Sequence, residues 1–430
     1  MIASRKRGHH DNLPMKSDPV VITGVGAATP LGITADEIAA SLEAGRSGVS
    51  RQMVDGCMDV CFGRVPAAIH EHADRIFAHL RDDEQEVARN DEGLLFGMYA
   101  ADMALAQSGL TATDENRHRV AVAVSSSKGL LRNMIRANRL FMEHGPAGDP
   151  DGLMSRLMLT FSGDVLGCHV ARRHGFRGPV LNYPSACATG ATSLIGAVNL
   201  IRGGYADAAV VGSSESSGNA VTIASFLNMG ALSPTTARPF HAERGGFNPG
   251  EGAGVVVVER ESHARARGAR ILARVAGWDF RSDAYHITAV ETDGIVVEHT
   301  VREALRRAEW QPADVDYINA HGTGTALNDA TESAVIARVF GRPGPLVSSL
   351  KAHIGHLLGG SASAELAICL VALPRGIVPD TLHLDRPDPA FDLQLVRGGV
   401  AHKRVRRFMK FSLGFGGHIA ALAVELPEEG

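Results

Sequence analysis

The chain has 430 residues, 45% of them hydrophobic and 48 of them glycine, which excludes a disordered protein and points to a large core with many tight turns. With 43 Lys and Arg against 47 Asp and Glu, the net charge of -4 gives no global reason to bind nucleic acid or a membrane surface. Five cysteines without paired spacing, a basic start lacking an apolar signal core, and no charge-free apolar run of about 18 residues lead to a cytoplasmic expectation without a membrane span.

Residues 1–17 read as a loose tail. "PVVITGVGAATPLG" (19–32) is a β-branched strand ending in a Gly-rich turn, and "TADEIAASLEAG" opens as a capped helix. Cys57 and Cys61 have no second Cys/His pair at zinc-finger spacing, so no metal is expected. "RVAVAVSSSKG" leads into a helix carrying Arg132, Arg136 and Arg139; "GPVLNYPSACATG" leads into "ATSLIGAVNLIRGG"; "ADAAVVGSSES" follows. A second series starts near 270: the strand "RILARVAGWDF", the helix "GIVVEHTVREALRRAEW", the strand "VDYINAHGTGT" and the helix "ATESAVIARVFG". It ends with "LVSSLKAHIGHLLGGSASAELAICLVAL" and the terminal strands "RFMKFSLGFGGHIAALAVEL". Repeated strand–helix units predict an α/β fold with buried, mostly parallel strands. The likeness of "VVITGVGAATPLG" to "VDYINAHGTGTALN" hints at duplication, with halves at 18–264 and 265–430 and no linker between them.

Four stretches hold candidate chemistry. Cys187 in "NYPSACATGATS" stands where a strand meets a helix N-terminus, a field that lowers a thiol pKa; seen alone, an inert buried cysteine is the more ordinary reading. His321 in "NAHGTGTALND" closes a strand beside Gly322, Thr323, Gly324 and Thr325, where a turn histidine facing a pocket and a plain surface histidine are both open. "SSLKAHIGHLLGG" supplies Lys351, His353 and His356; the lysine biases a nearby histidine toward neutrality, or is a solvated helix residue, while His353 is expected at the surface. "SLGFGGHIAA" sets Phe415 among glycines, either a gate with backbone N–H groups free for a ligand or a tight turn with a core aromatic.

In that chain order the motifs "SACATG", "RPFHAERGGFNPGEGAG", "SDAYHIT", "HGTGTALNDATE", "SSLKAHIGHLLGG" and "GFGG" resemble the β-ketoacyl-[acyl carrier protein] synthases, the elongating condensing enzymes of the thiolase superfamily. The resemblance runs from Pro19 to Leu426 and implies duplicated βαβαβαββ halves in a layered αβαβα core. It makes Cys187 the acyl-accepting nucleophile, the N–H groups of Cys187 and Phe415 an oxyanion hole, and His321 and His356 the malonyl-activating pair. By the same resemblance Lys351 holds this network, Glu332 is hydrogen-bonded to it, Thr323 and Thr325 meet the pantetheine arm, and Met134 and Phe415 line the acyl pocket. Implied is decarboxylative condensation in fatty-acid or type II polyketide or polyene elongation, without metal or cofactor.

The implied partners are acyl- and malonyl-loaded carrier proteins and a second subunit, identical or chain-length-factor-like. Carrier proteins are acidic, so "HKRVRR" (402–407) and Arg132, Arg136 and Arg139 are candidate docking cations, although 81–92 is acidic. A non-catalytic chain-length factor is the rival reading; such subunits usually lack the active cysteine. A degradative thiolase would carry a C-terminal catalytic cysteine, and "GFGGHIAA" has none. Departures from the family pattern are His418 and Ile419 behind the gate, and Asn248 and Pro249 in "GFNPGEGAG".

Overall fold

A computed structural model describes residues 18–145 and 162–428; the expected loose tail, 1–17, lies outside the described residues. The main sheet is built from β1 (Val20–Ala28), β2 (Val120–Ser125), β3 (Ala208–Glu215), β4 (Gly252–Arg260), β5 (Ala273–Ser282), β6 (Tyr317–Asn319), β7 (Leu346–Ser348), β8 (Gln394–Leu395), β9 (Arg407–Gly414) and β10 (His418–Glu425). Around it pack α1 (Glu92–Ser108), α2 (Leu131–His144), α3 (Val165–His174), α4 (Thr189–Arg202), α5 (Ala220–Asn228), α6 (Ile295–Ala308), α7 (Ala326–Phe340) and α8 (Ser361–Ala372).

Strand order is β8-β7-β6-β9-β10-β5-β1-β4-β3-β2. Beyond β2, Val180 adds a single parallel bridge to Val122, all that remains of the strand expected before Cys187. With that bridge counted, the sequence Val180-β2-β3-β4-β1 repeats as β7-β6-β9-β10-β5, with the same neighbours in the same relative directions. The halves meet where β1 pairs antiparallel with β5. The expectation of mostly parallel strands fails: β1/β4, β1/β5, β3/β4, β9/β10 and β5/β10 run antiparallel, because each half closes by folding its last strand back between its first strand and the rest.

Period-two alternation divides the core into layers. In β3, Ala209 and Val211 face a central cluster shared with α4 and α8, while Ala208 and Val210 face α1 and α3. In β10, Ala420, Leu422 and Val424 face that same centre, and Ile419, Ala421 and Ala423 face α6 and α7. The result is helix, sheet, helix, sheet, helix. Leu358–Arg375, the one stretch among the described residues long and apolar enough to cross a bilayer, belongs to the middle layer and is 89% buried there. Small residues let the two central helices approach; a methyl on Gly190 of α4 would come within 2.6 Å of the Ser363 nitrogen of α8.

Candidate active site

Both central helices begin under the same surface, and the turns before them carry the candidate residues. Before α4, Ala186 takes a left-handed φ of 46°, a conformation that costs an alanine about 1–2 kcal/mol. The Ser185 N–H donates to Thr189 Oγ1 at 2.9 Å, and that hydroxyl donates to the Ala186 carbonyl at 2.7 Å, so the turn is clamped. It presents Cys187 to a cavity of about 250 Å³ that also meets His321, Thr323, Thr325, His356, Phe415 and Ile419.

The glycine-rich motif that carries Phe415 lies in the turn between β9 and β10. Gly416 and Gly417 have φ of 82° and 78°, values that favour glycine, and Gly414 passes so close that a methyl would stand 2.6 Å from the Ser185 carbonyl. This brings the Phe415 N–H onto the Cys187 sulfur. The Phe415 ring tilts against Phe226 of α5, with centroids 6.4 Å apart. The thiol differs from expectation. Burial pushes it up from its ordinary value, outweighing the lowering by Lys128, Lys351 and the Phe415 N–H.

The two histidine rings stand edge to face with centroids 5.5 Å apart. Burial, then the positive charge of Lys351, holds both well below the ordinary imidazole range, so both are neutral donors or acceptors at neutral pH. His356 Nδ1 accepts the Leu358 N–H at 3.2 Å and lies 2.8 Å from Ser361 Oγ, which leaves the proton on Nε2. Phe247 packs on its ring, and Asn248 anchors its backbone by accepting the His356 N–H at 2.7 Å. Asn248 is thus a structural lock: its side chain also binds Ala237 N–H at 2.6 Å and the Thr235 carbonyl at 2.7 Å.

Glu332 is not bonded to Lys351. Its carboxyl accepts the His321 and Gly322 N–H groups at 2.6 and 2.8 Å, because α7 approaches the histidine loop from the outer layer. Burial pushes that carboxyl up to about 7. Lys351 is fully buried and instead donates to the His321 carbonyl at 3.0 Å and pairs with Glu365 of α8, which pairs again with Lys410 of β9 at 2.8 Å. Glu365 and Lys410 were absent from the sequence-based set. Their signal was a lone charge inside an otherwise uncharged helix, "SASAELAICLVA", and strand interior, "FMKFSLG".

Other expectations divide. Thr323 and Thr325 line the cavity with hydroxyls 2.9 Å apart, and Ile419 lines it too. His418 turns away and stacks on Phe280. His353 is buried, its Nε2 lying 3.1 Å from Asp380 Oδ1, rather than at the surface. Met134 is half-buried on α2 and does not reach this cavity. Arg132 binds the Gly218 carbonyl and lies 3.6 Å from Asp55, and Arg136 lies 3.7 Å from Glu86. His402, Lys403 and Arg404 flank Leu426, past the far end of β10, about 23 Å along the strand from His418. That distance separates them from the Phe415 turn.

Residues 17–264 match the family profile described as "Beta-ketoacyl synthase, N-terminal domain", and 272–385 match "Beta-ketoacyl synthase, C-terminal domain". The chain is 35% identical over 417 residues to the 3-oxoacyl-[acyl-carrier-protein] synthase 2 of Rhizobium meliloti (strain 1021), covering 94% of this chain and 97% of that one. It is also 34% identical over 419 residues to nodulation protein E of Rhizobium leguminosarum bv. trifolii, covering 94% and 98%. Among solved structures, the ishigamide ketosynthase/chain length factor superposes with a TM-score of 0.87 at 30% identity over 96% of this chain and 100% of that one. A type II PKS ketosynthase in complex with its acyl-carrier protein and bound to the hexaketide gives 0.85 at 29%, with the same coverage. With both profiles matched and the thiol and histidines gathered at one cavity, the chain belongs to the β-ketoacyl synthase family.

Proposed function

We propose that the chain joins an acyl group carried on Cys187 to malonyl-[acyl carrier protein], giving β-ketoacyl-[acyl carrier protein] and carbon dioxide. The observation that carries this reading is the convergence of Cys187, the Phe415 N–H, His321 and His356 on one cavity. In the first half-reaction the Cys187 sulfur attacks the carrier thioester, its proton leaves with the carrier thiol, and the N–H groups of Cys187 and Phe415 hold the tetrahedral oxyanion. In the second, the malonyl carboxylate leaves as carbon dioxide while negative charge builds on the thioester oxygen. Neutral histidines donating through Nε2 stabilise that enolate, whose carbon attacks the Cys187 thioester and releases the sulfur. Thr323 and Thr325, on the cavity wall, offer hydroxyls to the pantetheine arm. Lys351, held by Glu365, which also pairs with Lys410, fixes the His321 backbone and adds to the burial that keeps both rings uncharged.

The carrier-protein partner is supported by the solved ketosynthase in complex with its acyl-carrier protein, and pairing with an identical or related subunit by the ketosynthase/chain length factor structure. Fatty-acid and type II polyketide elongation both stand among the relatives, and Ile419, on the cavity wall, is the departure placed to sort acyl chains. A purely non-catalytic partner subunit would not need a complete thiol and histidine set. Free cysteines, including the buried nucleophile, favour a cytoplasmic setting. The test separates the half-reactions: His321→Ala and His356→Ala keep acyl loading of Cys187 and lose malonyl decarboxylation. Unimpaired condensation in either variant contradicts the assignment.

A further inference from the structure

A second cavity, of about 1350 Å³ against about 250 Å³ around Cys187, is left unused by the condensation steps above. It exists because β1 pairs with β5 only from Val20 to Ile22, while its pairing with β4 continues to Ala28. β5 begins at Ala273, so Val25, Gly26 and Ala27 of β1 lose their neighbour on that side and become a wall of the cavity. Gln107 of α1 satisfies this wall by accepting the Val25 N–H at 2.7 Å. Ile38 of the helix Ala35–Glu43, Leu370 and Val371 of α8, and Leu426 after β10 continue an apolar lining drawn from both halves. Leu358, just before α8, meets the Cys187 cavity, so the 12 residues of α8, about 18 Å at helical rise, separate the two sites.

The charged residues that line it are nearly all of one sign. Arg270, Arg375, Lys403 and Arg404, all exposed, meet the cavity together with His402, and Glu428 is the one acid among the lining residues. Arg375 is taken by Asp36 at 2.8 Å and Glu428 by Arg406, whereas Arg270, Lys403 and Arg404 have no side-chain partner among the described residues. In a chain with 47 acids against 43 Lys and Arg, that concentration of positive charge is local. We propose that this groove binds a long-chain acyl carboxylate, at a site separate from the Cys187 cavity. The alkyl chain covers the apolar lining and the carboxylate meets the free guanidinium and ammonium groups. Residues 1–17 have the wrong sign for it, with Arg5, Lys6, Arg7 and Lys16 against Asp11. An acidic protein surface would meet the cations and leave the apolar lining unfilled.

The test uses the full chain with laurate, and with laurate carrying a photoreactive diazirine. Photolysis labels peptides containing residues 370–376 or 402–405; label confined to the peptides of Cys187, Phe226 and Phe415 overturns the proposal. Calorimetric titration of laurate compares wild type with the double variant Lys403→Glu, Arg404→Glu, which weakens binding about tenfold at low salt. Equal affinity in the two proteins overturns the proposal, as does binding of dodecylamine, the cation of the same chain length, as tight as that of laurate. Displacement of laurate by acyl-free carrier protein would assign the groove to a protein and overturn it too. Acyl loading of Cys187 stays unchanged in the double variant, so the condensation reading stands or falls separately; lost loading would return Lys403 and Arg404 to carrier docking and overturn the acyl carboxylate site.

Discussion

Ser361 holds the His356 ring through a single hydroxyl. Its Oγ, 2.8 Å from His356 Nδ1, supports the tautomer with Nε2 protonated. Ser361→Ala removes one such bond, worth about 1 kcal/mol, and lowers malonyl decarboxylation several-fold while acyl loading stays unchanged. Stopped assays of the two half-reactions read this directly; equal losses in both would assign Ser361 to folding. Gly414→Ala puts a methyl 2.6 Å from the Ser185 carbonyl, so it lowers acyl loading and costs about 1–3 kcal/mol, measured as a urea midpoint. At this level the sequence was most informative where glycine and a reactive type coincide. Cys187, His321, His356 and Phe415 were all legible from such loops, and each meets the cavity. Glu332 was misplaced because a carboxylate's partner depends on which layer its helix occupies, and spacing along the chain does not carry that.

Strands and helices were readable from β-branched runs and capping residues, as in the Thr34–Glu37 capping box of the helix Ala35–Glu43 that follows β1. The direction of pairing was not. A parallel βαβ pattern says nothing of a last strand folded back into the middle of its half, which is what β4 and β10 do. The strand before Cys187 was overestimated because Val180 lies at the sheet edge with one bridge. In β9, outward Met409, Phe411 and Leu413 alternate with Phe408, Lys410 and Ser412, so period two alone turns Lys410 into the middle layer against Glu365. Glu365→Gln leaves the buried Lys351 and Lys410 ammoniums without their shared carboxylate and costs about 3–5 kcal/mol, read as a lower melting temperature. Adding Lys410→Met recovers part of that loss; additive losses would show that the pair is not coupled.

The whole molecule carries a titration signature of its buried acids. Burial pushes Asp91 and Glu332 up to about 7, and burial with the neighbouring Glu92 pushes Glu251 up to about 8. A carboxyl raised in the folded state keeps its proton where the unfolded chain has lost it, so its stabilising contribution is full below about pH 4 and is lost as pH rises to about 8. Glu251→Gln therefore flattens the fall of the urea midpoint between pH 6.5 and 8 relative to wild type; parallel curves would contradict the shift. The repeat of strand order across the halves explains how two unrelated-looking motifs, "SACATG" and "KAHIGH", come to face each other: each precedes the central helix of its own half. If this shared surface makes Cys187 the acyl carrier, intact-protein and peptide mass after incubation with acyl-loaded carrier protein reads it directly. One acyl mass is expected on the peptide containing Cys187 and none in Cys187→Ala; an unmodified Cys187, or acylation that persists in Cys187→Ala, would contradict that role.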